Sequence, residues 1–182
     1  MTASVRSDDF EATALPYLNE LYRTASRAVG NATDASDIVQ DTYLQAWKSY
    51  HRFTPGTNCR AWLYKIMFHV IQHHRRRQRR YVVVTPHEDE PDLESLLQYE
   101  PPIPQTLSDE EVLAALGSLP ERYRDVVLLV DVDELAYKEA AAALEVPIGT
   151  VMSRLSRGRS LLRVHLAGLA RAHGIDVERR RA

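Results

Sequence analysis

At 182 residues and 45% hydrophobic content, the chain has room for one ordinary domain or two small ones with packed cores. Its formal net charge of −2 conceals segregation, with a basic block at His73-His74-Arg75-Arg76-Arg77-Gln78-Arg79-Arg80 and an acidic stretch from Glu88 to Glu111. One cysteine, Cys59, excludes an internal disulfide and multi-cysteine zinc sites, and no apolar run approaches the ~18 residues of a membrane span or forms a signal peptide, so a soluble cytoplasmic protein without membrane insertion is expected.

Asp9 to Val29 reads as a helix with apolar residues at Phe10, Leu15, Leu18, Leu21, Tyr22, Ala25 and Val29, stopped by Gly30-Asn31. Thr33-Asp34 opens a second helix to about Tyr50, with Ala35, Ile38, Val39, Thr42, Tyr43, Ala46 and Trp47 inward and Asp37, Gln40, Asp41 and Gln45 largely outward. Phe53-Thr54-Pro55-Gly56-Thr57-Asn58 has the composition of a loop. A third helix, from about Arg60 to Arg80, is apolar through Trp62, Leu63, Ile66, Met67, Val70 and Ile71 and ends purely basic. Tyr81 to Thr85 is the one β-branched run.

Residues 81–107 contain Pro86, Pro91, Pro101, Pro102 and Pro104 among acidic residues, the composition of a flexible linker that imposes no fixed arrangement on what it joins. Ser108-Asp109-Glu110-Glu111 has capping-box spacing, and Pro120 starts a helix through Val132. Tyr137 to Leu144 is rich in strong helix formers, Glu145-Val146-Pro147 breaks the run, and a new helix starts near Ile148. On that helix Val151, Leu155, Gly158 and Leu162 share one stripe while Ser153, Arg157 and Ser160 point away, and Gly149-Thr150 offers N–H and hydroxyl groups suited to a phosphate. Helix, tight turn and hydroxyl- and arginine-bearing helix together read as a helix-turn-helix for the DNA major groove. The expected fold class is all-α: two small helical domains, an N-terminal bundle (1–80) and a C-terminal helix-turn-helix domain (108–182), joined by the flexible acidic linker (81–107).

Four segments in order now resemble the extracytoplasmic-function sigma factors of bacterial RNA polymerase. They are Ala35 to Trp47, Phe53 to Ile66, Leu119-Pro120-Glu121-Arg122-Tyr123-Arg124-Asp125-Val126, and Val146-Pro147-Ile148-Gly149-Thr150-Val151-Met152-Ser153-Arg154-Leu155. The resemblance implies a specificity subunit that acts with RNA polymerase core, captures the −10 element of promoter DNA as a single strand and reads the −35 duplex, its linker threading polymerase channels. It implies that Asp37, Gln40 and Asp41, one face by their spacing, dock on polymerase. Phe53 and Asn58 would hold an extruded base, and Lys65, His69, Arg75 and Arg76, with the basic block to Arg80, would follow the strand's phosphates. Trp62 would either help wedge the duplex or pack in the core with Leu63 and Ile66. In the second domain Met152, Ser153, Ser156 and Arg157 would meet −35 bases, Arg157 taking a guanine, with Thr150 and Arg154 on phosphates.

Departures from the family pattern are His69 where many relatives carry Asn, Met152 where they have Lys or Arg, Ser156 where they often have a larger group, and Ala136 in place of a capping Ser. The resemblance also implies a separately encoded anti-sigma factor as partner, since one cysteine and no sensor domain leave signal reading to another protein. A response-regulator architecture lacks its α/β receiver here, and a helix-turn-helix regulator acting without polymerase is the alternative from the second domain alone. An enzyme is the remaining class. His69 and His73 have the spacing of a metal pair but no third ligand and an adjacent arginine block, and Cys59 reads as a packed thiol; no catalytic residue, metal or cofactor is expected.

Overall fold

The computed structural model describes residues 9–81 and 108–172, all helices and turns with no strand among the described residues. The linker expected at 81–107 lies outside them except for Tyr81, which ends a helix rather than starting a strand. The N-terminal half comprises α1 (9–14), a 3-10 turn (Leu15–Tyr17), α2 (Leu18–Val29), α3 (Ala32–Ser49) and α4 (Cys59–Tyr81). The sequence reads Asp9 to Val29 as one helix, and the structure breaks it at Pro16, whose ring has no N–H and clashes with the preceding turn. The break turns Leu15, Leu18 and Tyr22 outward, while Phe10, Leu21 and Ala25 stay buried.

Local chemistry sets the helix ends. Gly30 takes φ 82°, closing α2 with its N–H on the Ser26 carbonyl at 2.8 Å. Asn31 caps α3, its Oδ1 accepting from the Asp34 N–H at 2.8 Å. Ala35, Ile38, Val39, Thr42 and Ala46 face the core, but Trp47, expected inward, stands 37% exposed with its ring edge-on to Phe10 at 5.2 Å. Asn58 caps α4, accepting from the Ala61 N–H at 3.1 Å, so this helix begins one residue earlier than the turn composition predicts.

The C-terminal half comprises α5 (Asp109–Ser118), α6 (Glu121–Val127), a π-turn (Leu128–Val132), α7 (Tyr137–Leu144) and α8 (Ile148–Ala172). The capping box on α5 forms, with the Ser108 N–H on Glu111 Oε2 at 2.7 Å and the Glu111 N–H on Ser108 Oγ at 3.3 Å. On α7 the missing serine at position 136 leaves half a box, in which the Ala136 N–H donates to Glu139 Oε2 at 3.0 Å. Glu145 closes α7 in the left-handed region at φ 55°, and Pro147 leads into α8 through the Thr150 N–H on its carbonyl at 2.9 Å. Val151, Leu155, Gly158 and Leu161 are the buried stripe of α8, while Leu162, expected in it, is half-buried beside Leu161.

Linker composition predicts no fixed arrangement of the halves, yet the structure packs them together. The alanine-rich α7 lies along α4, and α2 touches α5, α6 and the π-turn, so one buried cluster runs through both halves. Small residues on α7 let the two backbones approach; Ala140, Ala141 and Ala143 are all buried.

Gly158 marks a close crossing of α8 and α6, because a Cβ there would lie 2.8 Å from Val127 Cγ2 and 3.3 Å from the Tyr123 carbonyl. Gly158→Ala gains about 1 kcal/mol in helix propensity and loses about 1–3 kcal/mol to overpacking, so a net loss of stability is expected in urea denaturation. Adding Val127→Ala should relieve part of the Gly158→Ala loss, making the two changes non-additive.

Candidate nucleic-acid interface

Two faces of α4 carry different chemistry. At about 100° per residue, Lys65, His69 and Arg76 fall on one side, and all three are exposed. Arg75 lies about 100° around the helix from them, in the seam between the halves. There Nη1 donates to Asp125 Oδ2 at 2.6 Å, and Nη2 to Asp125 Oδ1 at 2.9 Å and the Ala28 carbonyl at 3.0 Å. Only 11% of the Arg75 side chain and 9% of Asp125 remain exposed. Burial pushes the Asp125 carboxyl up against the opposing pull of the guanidinium. Arg75, which sequence reasoning places on phosphates, is thus withdrawn from solvent; Arg79, further along the block, pairs with Glu121 at 2.8 Å.

The loop before α4 is held by aromatic packing. Tyr50 and Phe53 stack at 5.7 Å and an interplanar angle of 13°, and Phe53 lies 5.0 Å from the Trp62 ring. Trp62 is half-buried in this cluster and packs against the core. Asn58, at the loop's end, uses both ends of its amide: Oδ1 caps α4, and Nδ2 donates to Glu139 Oε1 at 2.6 Å. Sequence reasoning left Asn58 in the loop and missed the cap, for which an Asn just before an apolar helix is the local signal, whereas the contact with Glu139, 81 residues away, had none.

A second polar cluster crosses the seam below Asn58. Thr24 Oγ1 lies 2.9 Å from both carboxylate oxygens of Asp133 and 3.3 Å from the Tyr64 hydroxyl, which donates to Glu20 Oε1 at 2.8 Å. Arg60 joins in, donating through Nε to the same Glu20 oxygen at 2.7 Å and through Nη2 to the Asp133 carbonyl. Burial raises both the Asp133 carboxyl and the Tyr64 hydroxyl above their ordinary ranges. Sequence reasoning missed this group, because Thr24, Glu20, Arg60 and Asp133 each read as ordinary helix or turn residues.

On α8, Met152, Ser153, Ser156 and Arg157 stand exposed on one face, Met152 at 53%. Thr150 and Arg154 occupy the flanks and are half-buried, Arg154 lining the cleft that also holds Arg75 and Arg79. On α3, Asp37, Gln40 and Asp41 are exposed together. Asp37 and Asp41 line one side of a shallow hollow whose other side is His69, His73, His74 and Arg77 of α4. Nearby, Asp34 accepts from Gln78 at 3.0 Å and pairs with His74 at 3.2 Å; hydrogen bonding from Asn31, the largest influence, helps hold its carboxyl below the ordinary range. Cys59 is buried at the start of α4, and burial pushes its thiol up.

Residues 14–81 match the family described as Sigma-70 region 2, and residues 109–162 match Sigma-70, region 4. The ECF RNA polymerase sigma factor EcfG of Rhodopseudomonas palustris is 34% identical over 162 residues, an alignment spanning 89% of this chain and 84% of that protein. The chain belongs to the ECF sigma factors. ECF sigma factor SigE of Mycolicibacterium smegmatis is 35% identical over 156 residues, covering 83% of this chain and 59% of that longer relative. Among solved structures, the sigma factor RpoE of Bartonella quintana, in complex with the anti-sigma factor NepR, superposes with a TM-score of 0.69 at 26% identity, over 87% of this chain and 97% of that one. In ECF sigma factor terms, α4 with its preceding loop belongs to region 2, α7 and α8 to region 4, and the polar seam joins the two regions.

The buried Asp133 gives a signed pH dependence. Its carboxyl is raised in the folded state, so the fold holds this proton to higher pH than the unfolded chain does, and charging it removes stability as pH rises above the ordinary carboxylate range. Asp133→Asn is therefore expected to be more stable relative to wild type at about pH 7 than at about pH 4, as read from urea midpoints at the two pH values.

Proposed function

We propose that the chain directs RNA polymerase core to specific promoters, with residues 1–80 docking on polymerase and capturing the −10 strand, residues 81–107 as linker, and residues 108–182 reading the −35 duplex. The observation that carries this reading is the pair of matched sigma regions in order, with an exposed hydroxyl, thioether and guanidinium face on the second helix of the helix-turn-helix. Arg157 supplies the bidentate donor for a guanine, Met152, Ser153 and Ser156 complete the base-facing surface, and Thr150 and Arg154 on the flanks set the register on phosphates. Phe53, Asn58 and Trp62 form the strand-capturing end of region 2, with Lys65, His69, Arg75 and Arg76 along the phosphate path. Asp37, Gln40 and Asp41 are the polymerase-docking face. Sigma factors start transcription by recognition, and the chain needs no chemistry of its own for this role. The proposed role places the protein in the cytoplasm, on the chromosome; no described helix is long and apolar enough to cross a membrane. The partner of the Bartonella relative supports an anti-sigma factor as the regulator here as well.

Run-off transcription from a promoter library with core polymerase tests the reading: transcripts should start at a shared −35/−10 pattern only when the protein is added. Equal transcription with and without it would overturn the assignment. Arg157→Ala is expected to weaken promoter binding by about 1–3 kcal/mol, chiefly at one −35 base pair, as measured by anisotropy on single-substituted duplexes. Uniform loss on every sequence would identify Arg157 as a phosphate contact instead. Asp37→Lys with Asp41→Lys should abolish binding to core polymerase and leave the helical circular dichroism unchanged, because both side chains are exposed; wild-type competition for core by this double variant would refute the docking face.

A further inference from the structure

Three carboxylates of the region 4 half sit on three donors of the region 2 half. Glu139, at the start of α7, accepts from Asn58 Nδ2 at 2.6 Å. Asp125, in α6, takes both ends of the Arg75 guanidinium. Glu121, one turn earlier in α6, accepts from Arg79 Nη2 at 2.8 Å and lies 3.6 Å from Arg75 Nε. All three donors lie on the stretch of chain assigned above to the promoter strand. A carboxylate offers a guanidinium the same kind of paired anionic oxygens as a phosphate does, so these donors are satisfied within the chain by groups that resemble their nucleic-acid partner. Lys65, His69 and Arg76 lie about 100° around α4 from Arg75 and are exposed.

We propose that Glu121, Asp125 and Glu139 form an internal latch that competes with single-stranded DNA for Asn58, Arg75 and Arg79, so that closure of the two halves and capture of the strand exclude one another. The inference rests on the strand-binding reading of those donors. The three contacts are graded in access. The Arg75–Asp125 pair is nearly dry, whereas Arg79 is 60% exposed and Glu121 38%. The Arg79–Glu121 contact borders a cleft of about 280 Å³ between the halves, which Arg75 and Asp125 also line, and the Asn58–Glu139 contact lies outside it as an exposed hydrogen bond. The strand therefore displaces Glu121 and Glu139 before Asp125, and opening proceeds from the rim inward. Glu121→Gln/Glu139→Gln removes the two rim charges and keeps the donors, the Arg75 and Asp125 side chains and, through the amide oxygen at position 139, an acceptor for the Ala136 N–H that caps α7, so what it weakens is the closure of the halves.

The test compares full-length wild type with Glu121→Gln/Glu139→Gln, using fluorescence anisotropy with labelled oligodeoxythymidine for strand binding and small-angle scattering for compactness. Asp109→Asn/Glu110→Gln, which removes the same charge from α5 away from these contacts, is the electrostatic control. If the latch hides the donors in about nine molecules of ten, opening it tightens binding about tenfold, by the fraction of competent molecules. The expected result is a larger radius of gyration and a clear gain in affinity for Glu121→Gln/Glu139→Gln, well beyond that of the control. A gain no larger than the control's, with or without expansion, overturns the latch. Lys65→Ala/Arg76→Ala monitors the underlying reading separately: if it loses affinity while the rim variant gains none, only the latch fails, and if it binds as well as wild type, the strand-binding reading of α4 fails.

Discussion

The arrangement of the two halves depends on one buried ion pair. Arg75 and Asp125 meet end to end with both guanidinium nitrogens engaged, and the same arginine also takes the Ala28 carbonyl near the end of α2. Arg124 donates to that carbonyl from the other half at 3.1 Å, so the last turn of α2 is tied by arginines from both sides. Such a pair contributes little net stability against apolar replacements, since two charges have been taken out of water. Losing one member alone costs about 3–5 kcal/mol, because the other is left buried without a counter-charge. Its effect is to fix the register: only one sliding position of α6 against α4 satisfies both groups, and the neighbouring contacts at Asn58, Thr24 and Arg60 fall into place around it.

Periodicity in the sequence located most helices, because it reports burial within a single element. The stripe on α3, the small-residue α7, the break at Glu145-Val146-Pro147 and the buried face of α8 were legible for that reason. The break at Pro16 overrode a good apolar pattern through the missing N–H, and Trp47, read as inward, is partly exposed in a T-shaped contact with Phe10. The seam was not legible at all. Thr24 and Asp133 are 109 residues apart, and Arg75 and Asp125 are 50 apart. No local pattern encodes which distant carboxylate an arginine will meet. Composition in the linker spoke only to the linker, and said nothing of the surfaces at its two ends.

The same limit explains the mixed legibility of the interface residues. Exposed positions such as Met152, Arg157, Lys65 and Arg76 lie where helical spacing places them. Asn58 and Arg75 are proposed for the promoter strand on the family resemblance, whereas the structure occupies one as a helix cap bonded to a distant glutamate and the other as the centre of the seam. A residue with two competing partners has no single role that its neighbours in sequence can disclose.

The order of the chain adds a consequence in time. The N-terminal helices are made first, while the carboxylates that cover Arg75 and Asn58 come 50 and 81 residues later. At a synthesis rate of about 5–20 residues per second, several seconds separate the two on a translating ribosome. During that interval the nascent N-terminal half carries its arginines uncovered among ribosomal and messenger RNA. The acidic residues between Glu88 and Glu111 emerge in the same interval and are the first anions of the chain itself to follow the basic block.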